Sequence, residues 1–411
     1  MGMKIKFGNN RISGIILYMI MLFLQFILLY PEGLTNLSLY NIVRISQNTL
    51  FVLMVSVFVL FFIRNRFLRL LFIYFGFLFV ATAINKSNYP IILLDASRCF
   101  SLCVIYLIVF QNNQKIFLKS ISDYFALIAY INTAITILMP NGWYVFTSIN
   151  GLQKGYYLLG ESNQIIPFYL IAVTVAYIWT QYSNKNKMRT MLLMVCTCIT
   201  EMIYGSATSL LMILLFMLLF LAFNLRKDYI RERISTRKKA RKFQFLAVLG
   251  IAVVCIGLVF FNIQNLFSYF ITSFLHKDIT LSTRTVIWSA AVNMIQNSPI
   301  YGYGGAFNKY LQVGAYRFNA HNLFLQTMLM GGFVLLILFG AVILLSVGEL
   351  AKSHKGKTKN VLLCLLLSLS LGSMTEIYTL SWIFVVLFLC YLEPMILYNK
   401  EECNEHQTKY S

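Results

Sequence analysis

The sequence predicts an all-α polytopic membrane protein of about twelve transmembrane helices, with both termini on the cytoplasmic side and a large, partly helical outer loop before the tenth span. Composition, the recurrence of long apolar runs and the placement of positive charge carry that prediction. Of 411 residues, 59% are hydrophobic and 12% charged, with a mean hydropathy of +0.73, whereas a soluble domain carries about 25% charged residues. A chain this apolar has no way to hide its surface from water, so lipid is its solvent. A helix rises about 1.5 Å per residue, so apolar runs of about 20 residues cross a hydrocarbon core of about 30 Å.

In chain order the runs fall near Ile12 to Tyr30, Ile42 to Ile63, Phe67 to Ile84, Ile91 to Phe110, Ile121 to Met139 and Gln164 to Tyr182. The second half continues near Thr190 to Ile203, Ala207 to Leu225, Phe243 to Phe261, Asn322 to Val347, Asn360 to Met374 and Leu380 to Leu397. The first span follows a basic stretch, as a signal peptide does. It is long, lacks a small-residue cleavage site and is followed by more spans, so it reads as retained.

Orientation follows from lysine and arginine, which favour cytoplasmic loops. With Lys4, Lys6 and Arg11 inside, each second loop is basic: Arg64, Arg66 and Arg69; Lys115 and Lys119; Lys185, Lys187 and Arg189; the run from Arg226 to Lys242; and Lys352, Lys355, Lys357 and Lys359. Only Arg44, Lys86, Arg98, Lys154, Lys277, Arg284, Lys309 and Arg317 of the 34 basic residues fall elsewhere. The chain therefore reads as a single transmembrane domain over 1–411, with a basic cytoplasmic loop at 226–242, an extracytoplasmic loop at 262–321 and a cytoplasmic tail at 398–411. The net charge of +20 is topogenic. It does not indicate nucleic acid, which needs a basic face on a water-soluble domain. Seven of the eight cysteines lie in apolar spans and Cys403 lies in the tail, which is neither a disulfide framework nor a metal-ligand spacing.

Ionisable groups at membrane depth are costly, so each is a functional candidate unless a partner explains it. The acidic members include Glu32, Asp95, Glu161 and Glu376. Asp95 and Arg98, three apart on one helix, are placed to neutralise each other. Glu201 in the seventh span has no partner legible in the sequence. In the long outer loop, Trp288, Ala291, Val292 and Ile295 share one side of a helix, which predicts a segment lying along the membrane surface with Arg284 one turn before Trp288. Pro299 stops that helix, and Gly302, Gly304 and Gly305 permit an irregular turn where backbone can approach a ligand. Arg317 and then His321-Asn322 lead into the tenth span.

Arg284 with Trp288, Pro299, Gly302-Tyr303-Gly304, His321-Asn322, Leu323, Gln326 and Gly331-Gly332 resembles, in order and spacing, the signature of the O-antigen polymerase and ligase superfamily, including Wzy-type polysaccharide polymerases. Gly160-Glu161-Ser162-Asn163 resembles a second, fainter motif of that family. After the seventh span, where the family often has a Ser-Arg pair, this chain has Gly205-Ser206-Ala207-Thr208-Ser209. Arg98 and Arg317 are the candidates to replace the missing arginine in space.

The resemblance implies a donor: an oligosaccharide repeat unit on a polyprenyl pyrophosphate, used at the outer face of a bacterial cytoplasmic membrane to build O-antigen, capsular or exopolysaccharide. A flippase and a chain-length regulator are the partners it implies. The residues suit that chemistry. Arginine offers a fixed fork of donors to phosphate oxygens, so Arg284 and Arg317 are the first choices for the diphosphate, and fixed cations would stabilise the departing group without a metal or cofactor. His321 is the candidate base for the attacking hydroxyl; as a plain structural residue it would bond the loop at a helix start. Asn322, Gly302, Gly304, Tyr303, Trp288, Arg98, Glu161, Asn163 and Glu376 are the candidate substrate contacts, Glu161 and Glu376 also being alternative bases. Trp143, Tyr156, Tyr157, Tyr301 and Tyr303 could stack on sugar rings or anchor at the bilayer interface.

The favoured activity is polymerisation of lipid-linked repeat units. A ligase shares the donor and differs in the acceptor. A flippase or transporter would show repeat-related halves with broken helices, and no convincing self-similarity joins the halves here. A membrane scaffold leaves the outer-loop constellation unexplained.

Overall fold

The computed structural model describes residues 11–87, 89–147, 153–184, 187–225, 284–305, 311–313, 316–353 and 356–396, with a few positions between 246 and 273. The basic loop at 226–242, part of the expected ninth span, most of 262–283 and the tail after 396 lie outside the described residues.

Twelve helices are described: α1 (Arg11–Leu28), α2 (Leu39–Val57), α3 (Arg66–Ile84), α4 (Tyr89–Asn112), α5 (Gln114–Leu138), α6 (Ser162–Ser183), α7 (Met188–Tyr204), α8 (Ala207–Leu225), α9 (Arg284–Asn297), α10 (Leu323–Leu350), α11 (Gly356–Ser373) and α12 (Leu380–Leu392). Among the described residues, six helical stretches are long and apolar enough to cross a membrane: Leu39–Phe62, Arg66–Ile84, Ile92–Asn112, Gln114–Leu138, Gln164–Ser183 and Leu323–Leu350. Shorter apolar segments lie within α1 and α8, and another, Leu380–Met395, comprises α12 and the turn that follows it. The architecture is that of a mostly helical, polytopic membrane protein.

Asparagine and glycine punctuate the helices. Asn65 accepts from the Leu68 amide at 3.0 Å to start α3, and Asn113 does the same for Ile116 at the start of α5, each satisfying an amide the helix leaves unpaired. Asn184 and Gly205 take left-handed backbone after α6 and α7.

The helices sort into two environments. In α12 every residue from Ser381 to Leu392 is buried, and α4 and α6 are nearly as enclosed. By contrast α1 leaves Ile15, Ile16, Met19, Ile20 and Phe23 exposed, and α7 leaves Met188, Met191, Leu192, Val195 and Met202 exposed. Such apolar stripes on an outer surface fit acyl chains, not water.

Contacts between connections define two ends of the bundle. At one end, Arg189 at the start of α7 pairs with Asp123 of α5, whose other oxygen accepts from Tyr18 of α1 at 2.6 Å. At the opposite end the Gly33 amide, between α1 and α2, donates to the Leu158 carbonyl at 2.9 Å. There Ser87, between α3 and α4, donates to the Tyr303 carbonyl at 2.9 Å.

Two features depart from an all-helical reading. A three-stranded antiparallel sheet is built of β1 (Tyr144–Thr147), β2 (Gln153–Tyr157) and β3 (Gly160–Glu161), and β4 (Gln312–Val313) pairs with β5 (Tyr316–Arg317). These strands are short and lie in connections between the apolar runs, where hydropathy carries no strand signal. The expected tenth span is also broken: Gly331 and Gly332 are non-helical within α10, with φ of −145° and 64°. Beside that break the Pro299 carbonyl accepts from the Phe333 amide at 2.7 Å, re-satisfying a donor the kink frees.

Candidate functional site

The turn between α11 and α12 carries Glu376, whose carboxylate gathers two residues remote in sequence. One oxygen is ion-paired with Nη2 of Arg284, the first residue of α9. The other lies 3.2 Å from Nδ1 of His321, just ahead of α10. Glu376 is enclosed, while the His321 side chain keeps 31% of its surface open. A carboxylate opposite Nδ1 favours the tautomer with the proton on that nitrogen, which leaves Nε2 as the free proton acceptor. With both oxygens engaged, Glu376 is placed to orient its neighbours more than to act as a base.

Local structure fixes this convergence. The Asn322 side chain is fully buried and accepts from the Phe324 and Leu325 amides at 3.0 and 3.1 Å, capping α10. Its amide nitrogen donates to the Met374 carbonyl at 2.9 Å, two residues before Glu376. Asn322 is thus a clasp between the strip carrying His321 and the strip carrying Glu376. His321 itself has φ of +43°, uncommon for a residue with a Cβ, and its amide donates to Asn319 Oδ1 at 3.0 Å.

The glycine turn after α9 is a docking wedge. Gly302 has φ +58°, and a Cβ there would lie 2.6 Å from the Leu329 carbonyl oxygen and 2.7 Å from the Gly331 nitrogen. The Tyr303 amide donates to that same Leu329 carbonyl at 2.7 Å. Gly304 is pressed against Thr82 and Ser87. In this structure, then, the backbone that the glycines let approach is that of α10 and α3. The Tyr303 hydroxyl donates to the Met294 carbonyl at 2.9 Å. Trp288 is completely buried with Ile287, Ala291 and Ile295. The apolar stripe of α9 is therefore turned into the protein, where it packs on α10, and not toward a membrane surface; Trp288 has no ring face open to a ligand.

A second polar group sits at the same end. Glu32 Oε1 accepts from Thr379 Oγ1 at 3.2 Å, and Thr379 is three residues beyond Glu376. Burial raises the Glu32 carboxyl above its ordinary range; the Thr379 bond and Arg98 pull it down, and Glu161 pushes it up. Arg98 is buried and its Nε has no hydrogen-bond partner among the described residues. Asp95 and Arg98 influence each other electrostatically but do not close into the ion pair that their spacing suggested. The side chains of Arg317 and Asn163 lie outside what is described, so only the backbone of Arg317, paired with Gln312, and the helical position of Asn163 in α6 are placed. The link between Glu32 and Thr379 had no signal in the sequence, because the partners are separated by nearly the whole chain. Glu376 was visible as a lone acid between two spans, but its role as the meeting point was not.

Comparison with known proteins bears on this site. Residues 190–340 match the family model described as O-Antigen ligase, an interval that contains Arg284 and His321 but neither Glu376 nor the Glu32 group. A ComP-specific O-oligosaccharyltransferase from Acinetobacter baylyi is 25% identical over 265 residues, covering 60% of this chain and 45% of that relative. The alignment thus spans less than half of the curated relative. Together the two similarities support the O-antigen ligase superfamily for this chain, and neither singles out a Wzy-type polymerase.

Proposed function

We propose that this protein transfers a glycan from a polyprenyl diphosphate donor to a second, lipid-linked repeat unit at the outer face of a bacterial cytoplasmic membrane, polymerising an O-antigen, capsular or exopolysaccharide. The observation that carries this reading is the meeting of Arg284 and His321 on Glu376. Arginine has five donors. With Nη2 held by Glu376, others remain for a phosphate oxygen, and the pairing fixes the fork in place. Arg317 is proposed as a second donor to the diphosphate.

The acceptor hydroxyl oxygen attacks the anomeric carbon as the bond from that carbon to the diphosphate oxygen breaks. The diphosphate leaves with the bonding pair, and the hydroxyl proton passes to His321 Nε2. Arg284 stabilises the charge that develops on the leaving group, where preorganised donors are most effective. Fixed cations suffice for this, so the proposed reaction needs no metal.

The proposed orientation is about twelve spans, with both termini inside and the site outside. Basic residues support it: Arg66, Lys115, Lys119 and Arg189 all lie at or near the helix starts opposite the site, the distribution expected of a cytoplasmic face. A flippase supplying the donor and a chain-length regulator complete the proposed setting. The ligase reading keeps the donor half unchanged and is favoured by the description of the matching family.

The test is reconstitution of purified protein in proteoliposomes with lipid-linked repeat units and a chelator, with products separated by size. Polymer from the wild type and none from Arg284→Gln or His321→Asn supports the proposal. Single-unit transfer to another acceptor selects the ligase reading, and full activity in either variant removes that residue from the chemistry.

A further inference from the structure

The Glu32 group lies outside the chemistry just described, and its construction is that of a binding site. The turn Glu32–Leu34 is held to the sheet by the bond from the Gly33 amide to the Leu158 carbonyl, 2.9 Å long. Across the three strands Tyr144, Tyr156 and Glu161 are in register, so their side chains stand in a row on one face. The two tyrosine rings stack with centroids 5.1 Å apart and planes 20° from parallel, and both rings are close enough to Glu32 to feel its charge. Gly160, with φ +113°, leaves Glu32 Oε2 only 3.0 Å from where a Cβ would stand. A side chain there would crowd the carboxylate.

The second observation is Arg98. It lies nine residues into α4, is buried, and leaves Nε unpartnered among the described residues. A guanidinium at that depth is costly unless something accepts from it. Its charge acts on Glu32 and Asp95, yet neither carboxylate closes on it. Among the described residues the surroundings hold more acid than base, which disfavours a phosphate. Vicinal hydroxyls suit the set instead: carboxylate oxygens accept from them, arginine and threonine donate to them, and a tyrosine face covers the apolar side of a sugar ring.

Resting on the proposed function, we infer that Glu32, Glu161, Arg98 and Thr379, flanked by Tyr144 and Tyr156, form a glycan subsite that holds the hydroxyls of the acceptor sugar. The location fits. Thr379 binds Glu32 and lies three residues from Glu376, and an extended chain covers about 3.5 Å per residue, so the two groups are within about 11 Å of backbone. An acceptor held by Glu32 and Glu161 would bring its terminal hydroxyl to His321, while Arg284 keeps the donor diphosphate on the far side of Glu376.

The experiment measures binding of the repeat-unit oligosaccharide, released from the host's own lipid-linked pool, to the full chain in nanodiscs. The expected result is saturable binding by the wild type, weakened at least tenfold in Glu32→Gln and in Glu161→Gln. Both substitutions at the glutamates preserve shape, and Arg98→Lys, which keeps the charge and loses the fork, should fall between. Absence of wild-type binding at millimolar oligosaccharide overturns the subsite, as does affinity that ignores Glu32 and Glu161. Transfer assayed on the same preparation separates the two ideas. Activity without oligosaccharide binding sinks the subsite alone, and no transfer at all sinks the proposed function. If the variants raise the KM for donor and leave that for acceptor unchanged, the acceptor assignment is wrong.

Discussion

Two arginines at the same end of this protein meet different fates. Arg284 is paired with Glu376, which also holds His321. Arg98 is more deeply enclosed, with acids nearby that do not close on it. A paired guanidinium in a fixed frame suits charge that appears during a reaction, because orienting it costs nothing when the bond breaks. An incompletely satisfied one suits a ligand that supplies the missing acceptor. The contrast teaches that position near a membrane surface does not assign a role; the partners already in place do.

The largest effects are expected where the frame is broken. Arg284→Ala should lower the transfer rate by about 10²- to 10³-fold, the usual consequence of losing a preorganised charge. His321→Ala should cost about 10²- to 10⁴-fold, the range for a general base, measured as the initial rate at saturating lipid-linked substrate. Rates within twofold of wild type would dissolve the distinction drawn between the two arginines.

Glu376→Gln comes next. It keeps the shape but removes the charge that holds Arg284 and orients His321, so we expect about a 10- to 100-fold loss, smaller than deletion of the base itself. A loss larger than that of His321→Ala would mean that Glu376 handles the proton directly.

Gly302→Ala and Gly332→Ala probe the frame without touching its charges. Both glycines have positive φ and neighbouring backbone where a Cβ would go, so each substitution should destabilise the fold by about 1–3 kcal/mol. A thermal melt of the detergent-solubilised protein should show the drop for both and none for Gly340→Ala, a helical position where nothing lies within 4 Å of a Cβ and alanine is the better helix former. Equal melting temperatures would remove the wedge as the element that docks α9.

The smallest effect belongs to the other arginine's surroundings. Thr379→Val removes the bond to Glu32 and should raise the acceptor KM by about threefold to tenfold, in line with about 0.5–1.5 kcal/mol for one hydrogen bond, with little change in the maximal rate. A fall in the maximal rate instead would tie Thr379 to the Glu376 frame.

Much of the framework was legible in the residues because lipid constrains them so tightly. Eleven of the expected spans correspond to helices α1–α8 and α10–α12, with ends differing by only a few residues at most positions. Hydropathy is blind to burial among spans, however: α12 and α2 are both apolar, yet one is enclosed and the other largely exposed. That difference depends on neighbours, not on composition. The break in α10 was written as Gly331-Gly332, but two adjacent glycines in a span do not reveal that Pro299 and Ile300 will press on them. Within the site, Arg284 and His321 stood out through their pattern, whereas their joining by Glu376 is long-range and has no local signature. Asn322 and Trp288 were read as substrate contacts, and the structure shows the work they do within the fold: one caps and clasps, the other fills the core.

The central claim is that Arg284 and His321 act as one unit through Glu376, and a double-mutant cycle on single-turnover glycan transfer tests it most directly. For residues that act as a unit, losses do not multiply, so Arg284→Gln with His321→Asn should be within about tenfold of the worse single variant. A double variant whose loss equals the product of the two single losses would contradict it, because the residues would then be working independently.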